Sequence, residues 1–210
     1  MNGRSTSDAK GSSLRSRLRE ATGAAILDAA EEVFADQGLH AAHMNDIAAK
    51  AGVAVGTLYN HFKDRDALLD ALMRERRMGM IHAIDDFLAQ PSSGLFREDL
   101  MAVMNSIGGY LDEHRRFHHI LHMCDLGTGL AAYPVTAASA AEMKRLMFER
   151  LDIVMKRGVE QKALRPELEP YYSSILIGIL RSARQQQREL DTEHLPVEEI
   201  VRFFIEGAGV

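Results

Sequence analysis

An all-α fold is what this sequence predicts, and three observations predict it. Apolar residues recur at i, i+3 and i+4 through nearly every long stretch, and almost nothing alternates with the period of a strand. Gly52 separates two short apolar-patterned segments, as a helix-turn-helix requires. The expected architecture is an N-terminal three-helix helix-turn-helix DNA-binding domain followed by a larger C-terminal helical domain. The 210 residues provide for both.

Residues 1–20 are expected to form a flexible basic arm, because Gly, Ser and charge dominate the first fifteen and nothing there is periodic. Helix 1 begins after Ser16 or after Thr22 and runs to Gln37. Its apolar set is Ile26, Ala29, Ala30, Val33 and Phe34. A second helix spans about Asn45 to Ala51. Gly52 then takes the left-handed conformation that ends helices, and Val53 plugs the angle. The third helix, about Val55 to Phe62, buries Leu58 and Phe62 and leaves Val55, Gly56, Thr57, Tyr59, Asn60 and His61 on or near its outer face. Asp64 caps a fourth helix whose stripe of Leu68, Leu69, Leu72, Ile81, Ile84 and Leu88 ends before Pro91. Further helices are expected over about Glu98–Glu113, Arg116–Cys124, Ala137–Lys162, Glu167–Leu190 and Val197–Gly207, with a loop or short turn from Gly127 to Pro134. The domains divide at residues 21–70 and 71–210.

The second helix of such a motif reads the major groove of duplex DNA. Thr57 offers a hydroxyl for a phosphate or base edge and a methyl for thymine. Tyr59 and His61 can donate to phosphate oxygens, and Gly56 lets the backbone come close. Val55 and Asn60 are the positions expected to vary with the DNA sequence, Asn by hydrogen bonding and Val by apolar contact. The overall charge of −5 is unusual for a nucleic-acid binder. Locally, Arg4, Lys10, Arg15, Arg17 and Arg19 outweigh Asp8 and Glu20, whereas Lys50, Lys63 and Arg65 are balanced by Asp46, Asp64 and Asp66. Phosphate attraction must come from a few placed cations, helix N-termini and the arm. A single cysteine, Cys124, excludes an intrachain disulfide framework. The N-terminus has no apolar core of a secretory signal, and no apolar run spans a bilayer. The cytoplasm is the expected compartment, with no membrane partner. No nucleophile elbow, Gly-rich phosphate loop or HExxH motif suggests an enzyme, and no cofactor is implied.

The run Ile26-Leu27-Asp28-Ala29-Ala30, with Phe34, Gly38, Asp46-Ile47-Ala48, Ala51-Gly52-Val53, Gly56-Thr57-Leu58-Tyr59, His61-Phe62 and Ala67-Leu68-Leu69, resembles the TetR family of bacterial transcriptional regulators. The resemblance covers about Thr22 to Leu69 at fixed spacing. It implies that His43 and Asn45 at the start of helix 2, and Lys63 and Arg65 around the start of helix 4, clamp the DNA backbone beside the groove. Three residues depart from the family pattern: Ala54 stands for a capping Ser, His43 for a Thr, and Gly23 for an Arg. They imply fewer phosphate contacts from the globular reader, for which Arg15, Arg17 and Arg19 would compensate.

The resemblance further implies a dimer that binds a palindromic double-stranded operator, most often as a repressor, and releases it when a small molecule fills the C-terminal domain. Nine of the eleven methionines lie from residue 71 onward. Met adapts to irregular apolar cavities, although at helical spacing it also serves as plain core. An apolar or aromatic effector is expected among Ile84, Met101, Met104, Phe117, His118, His122, Met143, Met147 and Ile175. The segment His114–Cys124 supports the alternative of a metal-responsive regulator, since His118 and His122 are one turn apart. For dimerisation, Ser174, Gly178 and Ser182 form a ridge of small residues, and Val201 and Phe204 belong to the apolar face of the last helix.

Overall fold

The computed structural model describes residues 5–126, 134–189 and 196–209, and every regular element among them is helical. In chain order these are α1 (Ser5–Gln37), α2 (Met44–Lys50), α3 (Val55–His61), α4 (Arg65–Leu88), α5 (Phe96–Glu113), α6 (Arg115–Leu126), α7 (Pro134–Glu160), a 3-10 turn (Pro166–Tyr171), α8 (Tyr172–Glu189) and α9 (Val197–Ala208). The chain divides into two compact units. One holds the chain up to Arg76 with the segment from Arg116 to Ser139; the other holds Arg77–Arg115 and everything from Ala140.

Two expectations change here. Helix α1 starts at Ser5, so most of the expected irregular arm is helical. Ala9, Lys10, Leu14, Arg15, Arg17, Leu18, Arg19 and Glu20 are strong helix formers on either side of Gly11-Ser12-Ser13, no proline interrupts them, and the stretch is continuous with the packed part of α1. Local side-chain bonds add support: the Ser16 hydroxyl donates to Glu20 at 2.8 Å and Thr22 to the Leu18 carbonyl at 2.8 Å. The division also falls inside α4 rather than at residue 70, and the segment from Arg116 joins the first unit. Within that segment Phe117 is fully buried, and its backbone N–H donates to Glu31 Oε1 of α1 at 2.8 Å.

In the first unit, α1 buries Ile26, Leu27, Ala30, Val33 and Phe34, α2 buries Met44, Ile47 and Ala48, α3 buries Leu58, and the start of α4 buries Leu68, Leu69 and Leu72. The turn between α2 and α3 is set by its backbone. Gly52 has φ +68°, Val53 N–H reaches the Ala48 carbonyl at 3.0 Å and Gly52 N–H the Ala49 carbonyl at 3.2 Å. This pair of bonds is a Schellman closure, which satisfies the last carbonyls of α2. Asp64 caps α4 as expected, its Oδ1 accepting Ala67 N–H at 2.8 Å.

The second unit packs α5, α7, α8, α9 and the later part of α4 around Ile81, Ile84, Leu100, Val103, Leu151, Val154, Tyr172, Leu176, Val201 and Phe204. Buried Asp99 of α5 ties this unit together. It accepts the Ser92 hydroxyl at 2.5 Å, Ser93 N–H at 3.0 Å and Arg157 of α7 at 3.1 Å. Tyr172 donates its hydroxyl to the Arg165 carbonyl at 2.7 Å and packs edge-on against Phe204. The helix expected from Glu167 is split, because Pro170 has no N–H to give an α-helix and the segment tightens into the 3-10 turn before α8. Residues 127–133 of the expected loop lie outside the described residues; Pro134 opens α7, a position that suits its fixed φ.

Candidate nucleic-acid interface

The outer face of α3 is built by what α3 buries. Fully buried Leu58 fixes the rotation of this seven-residue helix, and the Gly52 closure fixes its start. Val55, Gly56, Tyr59 and Asn60 are then left exposed, Tyr59 at 49%. Beside them lies an open depression of about 490 Å³ lined by Ala42, His43, Met44, Asn45, Tyr59, Asp64, Arg65 and Asp66. The structure thus brings His43, Asn45, Tyr59 and Arg65 together around one concavity, contributed by the start of α2, by α3 and by the start of α4.

The other expected DNA contacts are placed less uniformly. Thr57 is half-buried and its N–H is held by the Ala54 carbonyl at 2.8 Å. Phe62, expected to be buried, is half-exposed at the end of α3. His61 is also half-buried, its ring centroid 6.1 Å from that of Phe62, and it faces Gly23 of α1, where an added Cβ would stand 3.5 Å from its Nδ1. Both helix starts lack a side-chain cap: His43 precedes α2 and Ala54 precedes α3 in extended conformation, without a capping bond.

The cations of the reader are largely engaged within it. Lys50 pairs with Glu32 of α1 at 2.6 Å, and this ammonium holds the Glu32 carboxyl below its usual range. Arg65 donates to the His40 carbonyl at 3.0 Å and reaches Asp66 at 3.4 Å. It therefore braces the turn before α2 as well as lining the depression. Lys63 is exposed. Sequence reasoning missed a network behind this surface. Buried Glu31 of α1 accepts Arg76 of α4 at 2.7 Å and Phe117 N–H of α6, and Arg116 reaches Glu32 at 3.4 Å. The available signal was a carboxylate one turn from both Leu27 and Phe34, beside the apolar face of α1.

Of the residues expected around an effector, Ile84, Met104, Met143 and Met147 lie in the core of the second unit and Met101 packs on it. Phe117 is buried in the first unit, and His118 is half-buried there. Ile175 is a correction: at 43% exposure it points outward from α8 and lines no interior. The side chains of His122 and Cys124 lie outside the described residues. Among those described, no group of three His, Cys, Asp or Glu could hold a metal ion, and the His114 ring packs against Tyr110 at 4.4 Å. Nor is any described helix long and apolar enough to cross a membrane.

The expected dimer residues separate into two sets. Ser174, Gly178 and Ser182 are exposed on α8, in line with Tyr171 and Ile175. Val201 and Phe204, by contrast, are 0% and 3% exposed and belong to the core of the second unit. The apolar residue that α9 turns outward is Phe203, 68% exposed. Helix α9 is apolar over so wide an arc that tertiary packing decides which part is covered.

Residues 26–72 match the family model described as bacterial regulatory proteins, tetR family. Among curated relatives, the fatty acid metabolism regulator protein of Bacillus subtilis is 34% identical over 80 residues, spanning 38% of this chain and 40% of that protein. The HTH-type transcriptional repressor KstR2 of Mycobacterium tuberculosis is 28% identical over 150 residues, 69% of this chain and 70% of the relative. Two solved structures share the fold. The fatty acid degradation regulator FadR of Bacillus halodurans superposes with TM-score 0.72 at 22% identity, covering 87% of this chain and 97% of that one. A TetR transcription regulator from Haloarcula marismortui gives 0.76 at 13% identity, covering 90% and 98%. These relatives are transcriptional regulators and not enzymes.

Proposed function

We propose that the chain, whose residues 26–72 match the tetR family of bacterial regulatory proteins, is a transcriptional regulator of that family: a dimeric repressor whose α3 reads a palindromic operator and whose second unit releases it on binding a small apolar or aromatic effector. The observation that carries the DNA reading is the exposed row of Val55, Gly56, Tyr59 and Asn60 beside the depression of His43, Asn45 and Arg65. In this reading Tyr59 and His43 hold phosphates, Asn60 and Val55 meet base edges, and Thr57 serves either.

The dimer reading rests on α8 and α9. Tyr171, Ile175 and Phe203 expose large apolar surface, and Ser174, Gly178 and Ser182 allow a second helix to approach closely. The effector reading rests on the methionine-rich core of the second unit, which can repack around an apolar guest. It fits the two relatives named for fatty acid metabolism and degradation. Helix α4 carries residues of both units and would pass the change on. Release requires the effector to favour the non-binding state by about 1–3 kcal/mol.

The test is binding of the purified protein to DNA flanking its own gene, with unrelated duplex as control. Selective binding by wild type, weakened in Tyr59→Ala while the variant stays folded, is the expected result. Equal affinity for both DNAs would sink the operator reading.

A further inference from the structure

The reader is electrically thin for its task. Its segment from residue 42 to 66 has as many acidic as basic side chains, and Lys50 and Arg65 are engaged internally. Affinity for duplex DNA comes in large part from neutralised phosphates, so cations are needed from elsewhere. Helix α1 carries three of them, Arg15, Arg17 and Arg19, all exposed and without an ion pair among the described residues. Because this stretch is helical, the three do not share one face.

Arg15, Arg19 and Gly23 follow each other at intervals of four, which places them in one row along α1. Arg17 stands about 200° around the helix from Arg15, at about 100° per residue. The row is anchored at a known point, because Gly23 is where α1 meets His61 at the end of α3. Arg19 and Arg15 therefore lie about 6 and 12 Å along the axis from that meeting point, turned about 40° and 80° from it to one side, whereas Arg17 is turned about 120° to the other. The major groove that α3 would enter is about 12 Å wide and bordered by phosphates on both sides. Glu20, the acidic residue of this stretch, is turned about 60° from Gly23 to the side opposite Arg19, and it accepts the Ser16 hydroxyl at 2.8 Å.

We propose that Arg15 and Arg19, but not Arg17, bind phosphates of the DNA backbone next to the groove read by α3, so that the exposed start of α1 is a helical extension of the DNA interface. This rests on the operator-binding reading. The occupant is duplex DNA, because the row continues the reader's own surface and supplies the charge that the reader lacks.

The experiment compares the full-length wild type, Arg15→Ala/Arg19→Ala, Arg17→Ala and Asn60→Ala for binding to the selected operator and to unrelated duplex across a salt series. Each lost phosphate contact lowers the slope of log K against log salt by about 0.9. The double variant is expected to lose about 1.8 from the slope on both DNAs and to bind at least tenfold more weakly at low salt, while Arg17→Ala keeps the wild-type slope. Asn60→Ala, which removes an expected base-edge contact, should lose selectivity between the two DNAs, separating failure of the reader from failure of the extension. Equal effects of Arg17 and of the Arg15/Arg19 pair per charge removed would mean an unstructured polycation and overturn the proposal. So would an unchanged slope in the double variant. A wild type that binds no duplex overturns this inference together with the operator reading.

Discussion

Glu31→Gln isolates the joint that holds α1, α4 and α6 together in the first unit. The native carboxylate accepts Arg76 Nε on one oxygen at 2.7 Å and Phe117 N–H on the other at 2.8 Å. A glutamine keeps one acceptor and puts an NH2 against the second donor, so one charge-assisted bond becomes a donor-donor contact. Losing such a bond costs about 1.5–3 kcal/mol. Asp28 remains as a partner for Arg76, but its side chain is 66% exposed against 9% for Glu31, so water already competes for it. The expected loss is about 2–3 kcal/mol, which for a chain of this size lowers Tm by roughly 5–10 °C. Asp28→Asn should cost under about 1 kcal/mol, as an exposed partner does. Urea denaturation of both variants checks the difference, with an unchanged m-value showing that only stability moved. Equal midpoints for the two variants would refute the argument that burial of Glu31, and not mere pairing with Arg76, makes the joint.

Two other perturbations test the structure elsewhere. Burial opposes ionisation of Asp99, but the hydrogen bonds from Ser92, Ser93 and Arg157 outweigh it and hold its carboxyl below the usual 3.8. A depressed folded pKa stabilises above the unfolded value and is lost as pH falls through the folded one. Asp99→Asn should therefore cost about 2–4 kcal/mol at neutral pH, with the gap to wild type closing below about pH 4 in a Tm series. A gap independent of pH would place the cost in packing. Ala54→Ser supplies the missing cap of α3 and should stabilise by about 1 kcal/mol, raising Tm by roughly 2–4 °C, provided the helix start is as extended as its ψ of 143° indicates. A fall in Tm would show that the hydroxyl is not positioned to cap.

The helix-turn-helix was legible because its determinants are local. Gly52 needs positive φ, Leu58 fixes which face of α3 is buried, and Asp64 caps α4, each within a few residues. The outer row of α3 followed from the same phase. The start of α1 was misread because it has no core to face, so it shows no apolar period and only propensity marks it as helix. On α9 the apolar arc was visible, yet Val201 and Phe204 were assigned outward where Phe203 belongs, since coverage by α5 and α8 is a tertiary fact. Glu31 was overlooked for a related reason: its partners are 45 and 86 positions away in the chain.

The methionines of the second unit carry a consequence of a chemical kind. A thioether becomes a sulfoxide only where oxidant reaches it, and the product is polar enough to disrupt a core. Met104 and Met155 are 1% exposed, whereas Met101 is only partly covered by the same cluster. Peroxide thus meets Met101 in the closed protein but must wait for opening to reach the other two. The order in which these sulfurs are consumed is a clock of how often this core comes apart, and each tick leaves behind a side chain that makes the next opening easier.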